Sequence, residues 1–251
     1  MTQPVSVTAA VLVIGDEILS GRTQDKNTGY IADYLTKIGI ELREIRVVGD
    51  VEAEIVAAVN ALRARYNYLF TTGGIGPTHD DITADAIAAS FGVPISEDPR
   101  AIKLLLERIK LEDLNAARRR MARIPHGAAL IENDISKAPG FWIGNVIVMA
   151  GVPAIMQSML DRVAPQLARG AKVLARTIEA GNLPEGAYAA GLSEVAAANP
   201  ELSIGSYPSF LAGAFHNQIV VRGKDSAKVG AAVALVEALV ARLAAERSQS
   251  R

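Results

Sequence analysis

The stretch of this chain best equipped for chemistry runs Thr71-Thr72-Gly73-Gly74-Ile75-Gly76-Pro77-Thr78-His79-Asp80-Asp81-Ile82-Thr83. Its three glycines leave backbone N–H groups uncovered by any Cβ, and the hydroxyls of Thr71, Thr72 and Thr78 add further donors. Such a loop suits a phosphate, the more so when it leads into a helix N-terminus, whose dipole favours an anion. The adjacent carboxylates of Asp80 and Asp81 would repel a bare phosphate unless a cation lay between them. The combination suggests a phosphate ester together with a Mg²⁺-like divalent metal. The glycines alone are equally compatible with nothing more than a tight strand-to-helix turn. No Gly-Lys-Ser/Thr follows, so the loop is not a Walker phosphate loop, and its spacing is not the dinucleotide fingerprint.

Something must hold this loop in place. Tyr68-Leu69-Phe70 reads as a short buried strand before it, and Ala84 to Ala89 as a helix after it, one continuous with the helix expected over residues 80–91. Val7 to Ile14 is β-branched and apolar on both faces, the pattern of a central parallel strand, and it ends at Gly15-Asp16-Glu17. Tyr30, Ile31, Tyr34, Leu35 and Ile38 form a helical stripe from Asn27 that stops at Gly39. A strand follows over Glu41 to Val48, then Gly49-Asp50, then a helix from Glu52 to Arg65. An acid at the carboxyl end of a parallel strand points toward the crevice where open α/β sheets bind ligands. Asp50 could equally serve as an N-cap, Asp16 and Glu17 as turn formers, and Asn27 as a plain cap.

The alternation predicts a three-layer α/β/α domain with a mostly parallel sheet over residues 1–168. Further on, Pro99–Lys110 and Leu114–Ala122 read as charged helices, and Val146–Met149 as the last strand of the large sheet, before a helix from Pro153. Arg118-Arg119-Arg120 with Arg123 reads as a solvated helix face, or as guanidinium groups reaching a phosphate. Residues 169–251 change pattern, to strand, helix, strand, strand and a long alanine-rich helix, which predicts a small α+β (βαββα) domain.

Composition narrows the partners. With 26 basic and 27 acidic residues the formal net charge is −1, so no global field draws nucleic acid or anionic lipid to the chain. Cysteine is absent, which removes disulfides, Cys-ligated zinc and a Cys nucleophile and suits a reducing compartment. No apolar run approaches a membrane span of roughly 20 residues. The expectation is a cytoplasmic protein whose ligand is small.

The motif of residues 71–83 resembles the signature of the MoaB/Mog molybdopterin-binding family, in its CinA-like (competence/damage-inducible) branch. Gly15-Asp16-Glu17-Ile18-Leu19, the following Gly21–Asn27 segment and Ala138-Pro139-Gly140-Phe141 match other elements of that family, as does Gly151-Val152-Pro153. The resemblance covers essentially the whole chain, with its specific motifs between residues 14 and 156. It implies that Asp50 and Asp81 are the catalytic pair and that Asp50, Asp80 and Asp81 hold the metal. It also implies a substrate site built from Gly15, Asp16, Glu17, Asn27, Thr72, Gly73, Gly74, Gly76, Pro77, Thr78, Gly140, Gly151 and Pro153. The activity implied is metal-dependent hydrolysis of a dinucleotide pyrophosphate of the ADP-ribose or FAD class. The alternative is a module that binds molybdopterin or transfers an adenylyl group in cofactor biosynthesis. Two departures stand out: Ile155 occupies a position where the CinA-like pattern has Glu, and the amidohydrolase domain of full-length competence proteins is not expected here. Relatives of this kind form oligomers, which implies a dimer here, with a trimer as the other arrangement.

Overall fold

The computed structural model describes residues 6–211 and 214–249. Contacts divide the chain into two compact units, one ending at Gly170 and the other beginning at Ala171.

In the first unit the chain runs β1 (Val7–Ile14), α1 (Asp16–Leu19), α2 (Asn27–Lys37), β2 (Ile40–Val48), α3 (Glu52–Arg65), β3 (Tyr68–Thr72) and α4 (Thr83–Phe91). There follow β4 (Ile95–Glu97), α5 (Pro99–Leu106), α6 (Ala116–Arg120), β5 (Arg123–Pro125), β6 (Ala129–Ile131), β7 (Gly140–Ile143), β8 (Val146–Met149) and α7 (Pro153–Val163). Six strands form one sheet in the order β2-β1-β3-β8-β7-β6. The first four are mutually parallel, while β7 and β6 extend the sheet antiparallel. Strand β1 is buried on both faces. Ala10, Leu12 and Ile14 pack with Ile55, Val59 and Leu62 of α3 and Ile87 of α4. Val11 and Val13 pack with Ile31 and Leu35 of α2 and Met156 and Leu160 of α7. This is the three-layer arrangement the alternation predicts, and truncating a side chain such as Leu12 to Ala would cost about 2–5 kcal/mol.

Some boundaries differ from the sequence reading for local reasons. The helix expected over residues 80–91 starts only at Thr83, because the chain before it turns on itself, with Asp81 N–H donating to Thr78 O. The helix expected over Leu114–Ala122 shrinks to α6, which Asn115 caps by accepting from Arg118 N–H at 3.0 Å. The chain then turns into β5, which pairs antiparallel with β4. Strand β8 is the last strand of the large sheet along the chain, as expected, and in space it lies inside the sheet, with β7 and β6 added beyond it.

The second unit contains β9 (Leu174–Gly181), α8 (Glu185–Ala198), β10 (Ser203–Tyr207), β11 (Phe210–Leu211), β12 (Ala214–Phe215), β13 (Asn217–Gly223) and α9 (Ser226–Gln249). Its three-stranded antiparallel sheet has the order β10-β13-β9, and β11–β12 forms a small separate hairpin. Ile178, Ile219 and Val221 bury one sheet face against Tyr188 and Leu192 of α8 and Val229 and Val236 of α9. No described helix is long and apolar enough to cross a membrane.

Candidate functional site

The parallel strands β1, β2, β3 and β8 deliver their following loops to the same edge of the sheet. There, Gly15 N–H donates to Val48 O at 3.1 Å and Gly73 N–H to Met149 O at 3.3 Å, so the strand ends are tied in pairs. Asp16 opens α1 and Asp50 follows β2. Asp16 N–H donates to Asp50 Oδ2 at 2.9 Å, and Asp50 N–H to Asp16 Oδ1 at 3.4 Å. Asp50 is therefore not the cap of α3; that place is taken by Val51, whose side chain makes no capping hydrogen bond.

Burial pushes the Asp50 carboxyl above its ordinary value. The hydrogen bond from Asp16 N–H opposes this, and the charges of Asp16, Asp80 and Asp81 add to it. The four carboxylates thus share one electrostatic neighbourhood. Groups that repel one another in this way are stabilised by a cation or a shared proton.

The glycine loop is clamped from within. Gly73 and Gly74 have φ values of 100° and 67°, a left-handed region open to glycine at little cost. Thr83, fully buried at the start of α4, donates its Oγ1–H to Gly73 O at 3.0 Å and its N–H to Gly74 O at 3.0 Å. A Cβ on Gly74 would collide with that same Thr83 Oγ1, so the glycine serves the packing of the turn. Asp81 Oδ2 accepts from Thr78 N–H at 2.8 Å and from Thr78 Oγ1–H at 2.5 Å. A Cβ on Gly76 would stand 2.6 Å from the same oxygen. Pro77, Thr78 and Asp80 are exposed, while Asp81 is half-buried.

On the opposite face, Asn27 is buried and donates Nδ2–H to Gly151 O at 2.8 Å. It is the first residue of α2 rather than its cap; Asp25 Oδ1 accepts from Asn27 and Thr28 N–H instead. Gly151 approaches Gly73 so closely that a Cβ on it would lie 3.3 Å from Gly73 Cα. Thr72 Oγ1, Asn27 Oδ1 and Thr28 Oγ1 are buried polar atoms with no partner among the described residues. Buried polar atoms of this kind ordinarily have a partner, and at this edge of the sheet a ligand could supply it.

Other sequence-derived candidates fall around this centre. Glu17 is exposed on α1 with its carboxylate folded over Gly15, and Pro153 starts α7, where its missing N–H is no loss. Gly140 is buried at the start of β7, against Val148 and Met159. Ile155 packs its side chain onto the apolar cluster beneath α2 and α7.

The arginines separate. Arg123 makes a two-pronged ion pair with Asp85, Arg119 reaches Glu97 at 2.8 Å, and Arg118 donates to Asp113 O at 2.6 Å. Of the four, Arg120 meets the loop, donating from Nη2 to Asp81 O at 3.1 Å, while its buried Nε has no partner among the described residues. Thr83 and Asp25 have no role in the sequence reading, and Arg120 stands there only within a basic run open to a phosphate. Asp25 is recognisable as an acid two residues before a helix start; nothing local separates Arg120 from its neighbours in that run.

Residues 10–169 match the family of probable molybdopterin binding domains, and residues 172–248 match the FAD synthase middle domain. A protein from Archaeoglobus fulgidus is 30% identical over 230 residues, which is 92% of this chain and 96% of that one. A CinA-like protein from Desulfosudis oleivorans is 37% identical over 210 residues; the match takes in 78% of this chain and 51% of that protein's length. The crystal structure of the protein CinA with unknown function from Thermoplasma acidophilum superposes with a TM-score of 0.61 at 33% identity, covering 64% of this chain and 98% of that one.

Proposed function

Because this chain belongs to the molybdopterin-binding domain family, in its CinA-like branch, we propose that it hydrolyses the pyrophosphate link of a dinucleotide of the ADP-ribose or FAD class. The observation that carries the reading is the gathering of Asp16, Asp50, Asp80 and Asp81 beside a loop in which Gly73 and Gly74 take left-handed backbone. The match of residues 172–248 to the FAD synthase middle domain supports a nucleotide over a bare pterin.

The donor set fits a hard divalent cation. Among the described residues no three His, Asp or Glu side chains converge on one point. Mg²⁺ is commonly held by one or two carboxylates, with phosphate oxygens and waters completing its shell. One or two of Asp50, Asp80 and Asp81 would supply those carboxylates, and a bound ion would neutralise charge developing on the phosphates.

The remaining work falls to the protein. The N–H groups of the glycine loop orient the phosphates, and the N-terminus of α4 adds its dipole. Asp50, whose carboxyl holds a proton more tightly than usual, accepts the proton of the attacking water. The water oxygen bonds to phosphorus, the bridging P–O bond breaks, and two phosphate monoesters leave. Thr78 and Arg120 hold Asp81 in place from either side, through its carboxylate and its carbonyl respectively.

A second reading, a non-catalytic module that holds molybdopterin for a partner, draws on Ile155, which offers an apolar contact where the family pattern has a carboxylate. Purified protein incubated with ADP-ribose, FAD or NAD, with and without Mg²⁺ or Mn²⁺, separates the two. AMP release that requires the metal supports hydrolysis. Molybdopterin binding with no release from any dinucleotide overturns hydrolysis in favour of the second reading.

A further inference from the structure

Arg118 is bonded to Asp113 O, Arg119 to Glu97 and Arg123 to Asp85, so three arginines of the basic run are engaged in holding the fold. Arg120, the last residue of α6, is different. Its Nη2 reaches Asp81 through the backbone carbonyl, not through the carboxylate, and its buried Nε has no partner among the described residues. Nε and Nη2 lie on one edge of the planar guanidinium, so the open donor stands beside the prong already on the glycine loop. A buried donor left without an acceptor costs about 1–3 kcal/mol, and more on a charged group, so native proteins rarely leave one so.

What Arg120 faces decides the kind of partner. It lines a small cavity with Gly74, Gly76 and Asp81 of the loop, Asp85 of α4 and Arg123 of β5, and the rest of the lining is apolar. The acids there are already engaged: both oxygens of Asp85 accept from Arg123, and Asp81 Oδ2 accepts twice from Thr78. The free volume is ≈ 10 Å³, enough for one oxygen-sized group and too small for a ring or a whole phosphate. A water there would satisfy the hydrogen bond and leave the positive charge unanswered. An anionic oxygen does both, and in an apolar surround the charge-assisted bond is the stronger one.

We propose that Arg120 contacts the substrate, with Nε donating to a non-bridging phosphate oxygen seated in this cavity beside Gly74 and Gly76. The inference rests on the proposed function for the identity of the ligand, and it selects one of four arginines as the group that senses the phosphate. Arg120 then has two roles on one edge: Nη2 fixes the loop through Asp81 O, and Nε reads whether a phosphate lies on it. Lysine could not fill both, since an ammonium on a flexible stem has no fixed second prong.

Titration calorimetry of the full chain with ADP and with adenosine tests it, with Mg²⁺ saturating for each variant. Saturating metal removes any effect that Arg120 has on metal affinity through Asp81. Arg120→Met should weaken ADP on the order of 10–100-fold, the worth of one charge-assisted hydrogen bond, with an unchanged circular dichroism spectrum. Adenosine, which has no phosphate, should bind both proteins alike, and Arg120→Lys should recover only part of the loss. Unchanged ADP affinity in Arg120→Met overturns the inference, as does a wild type with no affinity for ADP. An equal loss for adenosine overturns it too, because the variant would then have damaged the shape of the site and not a phosphate contact. Release of AMP from ADP-ribose and FAD by the wild type is followed alongside. Phosphate-dependent loss in Arg120→Met with no release by the wild type would overturn the hydrolysis and leave the contact standing.

Discussion

Asp16 and Asp50 each receive the other's backbone N–H on a side-chain oxygen, at 2.9 and 3.4 Å, so two acids that repel one another are locked at the ends of adjacent strands. The arrangement stores electrostatic cost in the folded state without a ligand. It makes that cost measurable.

Asp50 has a raised folded-state carboxyl pKa, so between the ordinary value and the raised one the native chain binds more protons than the unfolded chain. Stability contributed by Asp50 is therefore lost as pH rises through that window and stays lost at neutral pH. Asp50→Asn should raise the melting temperature at pH 7 by a few degrees. The gain should disappear below about pH 4, where both carboxyl forms are protonated. Turnover should fall on the order of 10²–10⁴-fold if the carboxylate takes a proton from water. Thermal melts across pH, set against metal-dependent AMP release, check both halves.

Asp81 holds the loop through an acceptor oxygen that asparagine retains. Asp81→Asn should keep its melting temperature close to wild type, whereas Asp81→Ala, which leaves Thr78 N–H without its acceptor, should lose about 1 kcal/mol. Both should weaken divalent-metal affinity by roughly 10–100-fold or more. Titration calorimetry with Mn²⁺ reads the affinity, and full retention in Asp81→Asn would remove Asp81 from the metal site.

Gly74→Ala introduces a Cβ at a left-handed φ and against Thr83 Oγ1, so a loss on the order of 1–3 kcal/mol is expected in urea unfolding. An unchanged midpoint would show that the turn relaxes freely.

Arg120→Met keeps the bulk of the side chain and removes the bond to Asp81 O. Losing about 1 kcal/mol of that hold should appear as a roughly fivefold weaker affinity for Mn²⁺, with the melting temperature nearly unchanged. Equal affinity in the variant would mean that Thr78 alone positions Asp81.

The sequence disclosed the parts whose signal is local. Apolar residues on both faces of Val7–Ile14 marked the central strand, and Gly73-Gly74 before two acids marked the loop. What it hid depends on partners distant in sequence. Thr83 looked like an ordinary first-turn residue until its hydroxyl met Gly73 O. Gly140–Ile143 and Ala129–Ile131 are too short for a period to show, so the antiparallel extension of the sheet went unread. Arg118, Arg119, Arg120 and Arg123 formed one basic run in sequence, and folding gave each a different partner. Asp50 satisfied the cap pattern and the site pattern equally; only the bond from Asp16 separated them.

Gly151 and Gly73 touch backbone to backbone, with Asn27 fastening the former from α2. No side chain stands between these two loops to be exchanged for a larger or smaller one. Variation in ligand preference therefore has little purchase there and must be sought in the exposed rim formed by α1 and residues 77–80. A library for altered specificity should hold the glycine pair and Asn27 constant and randomise that rim.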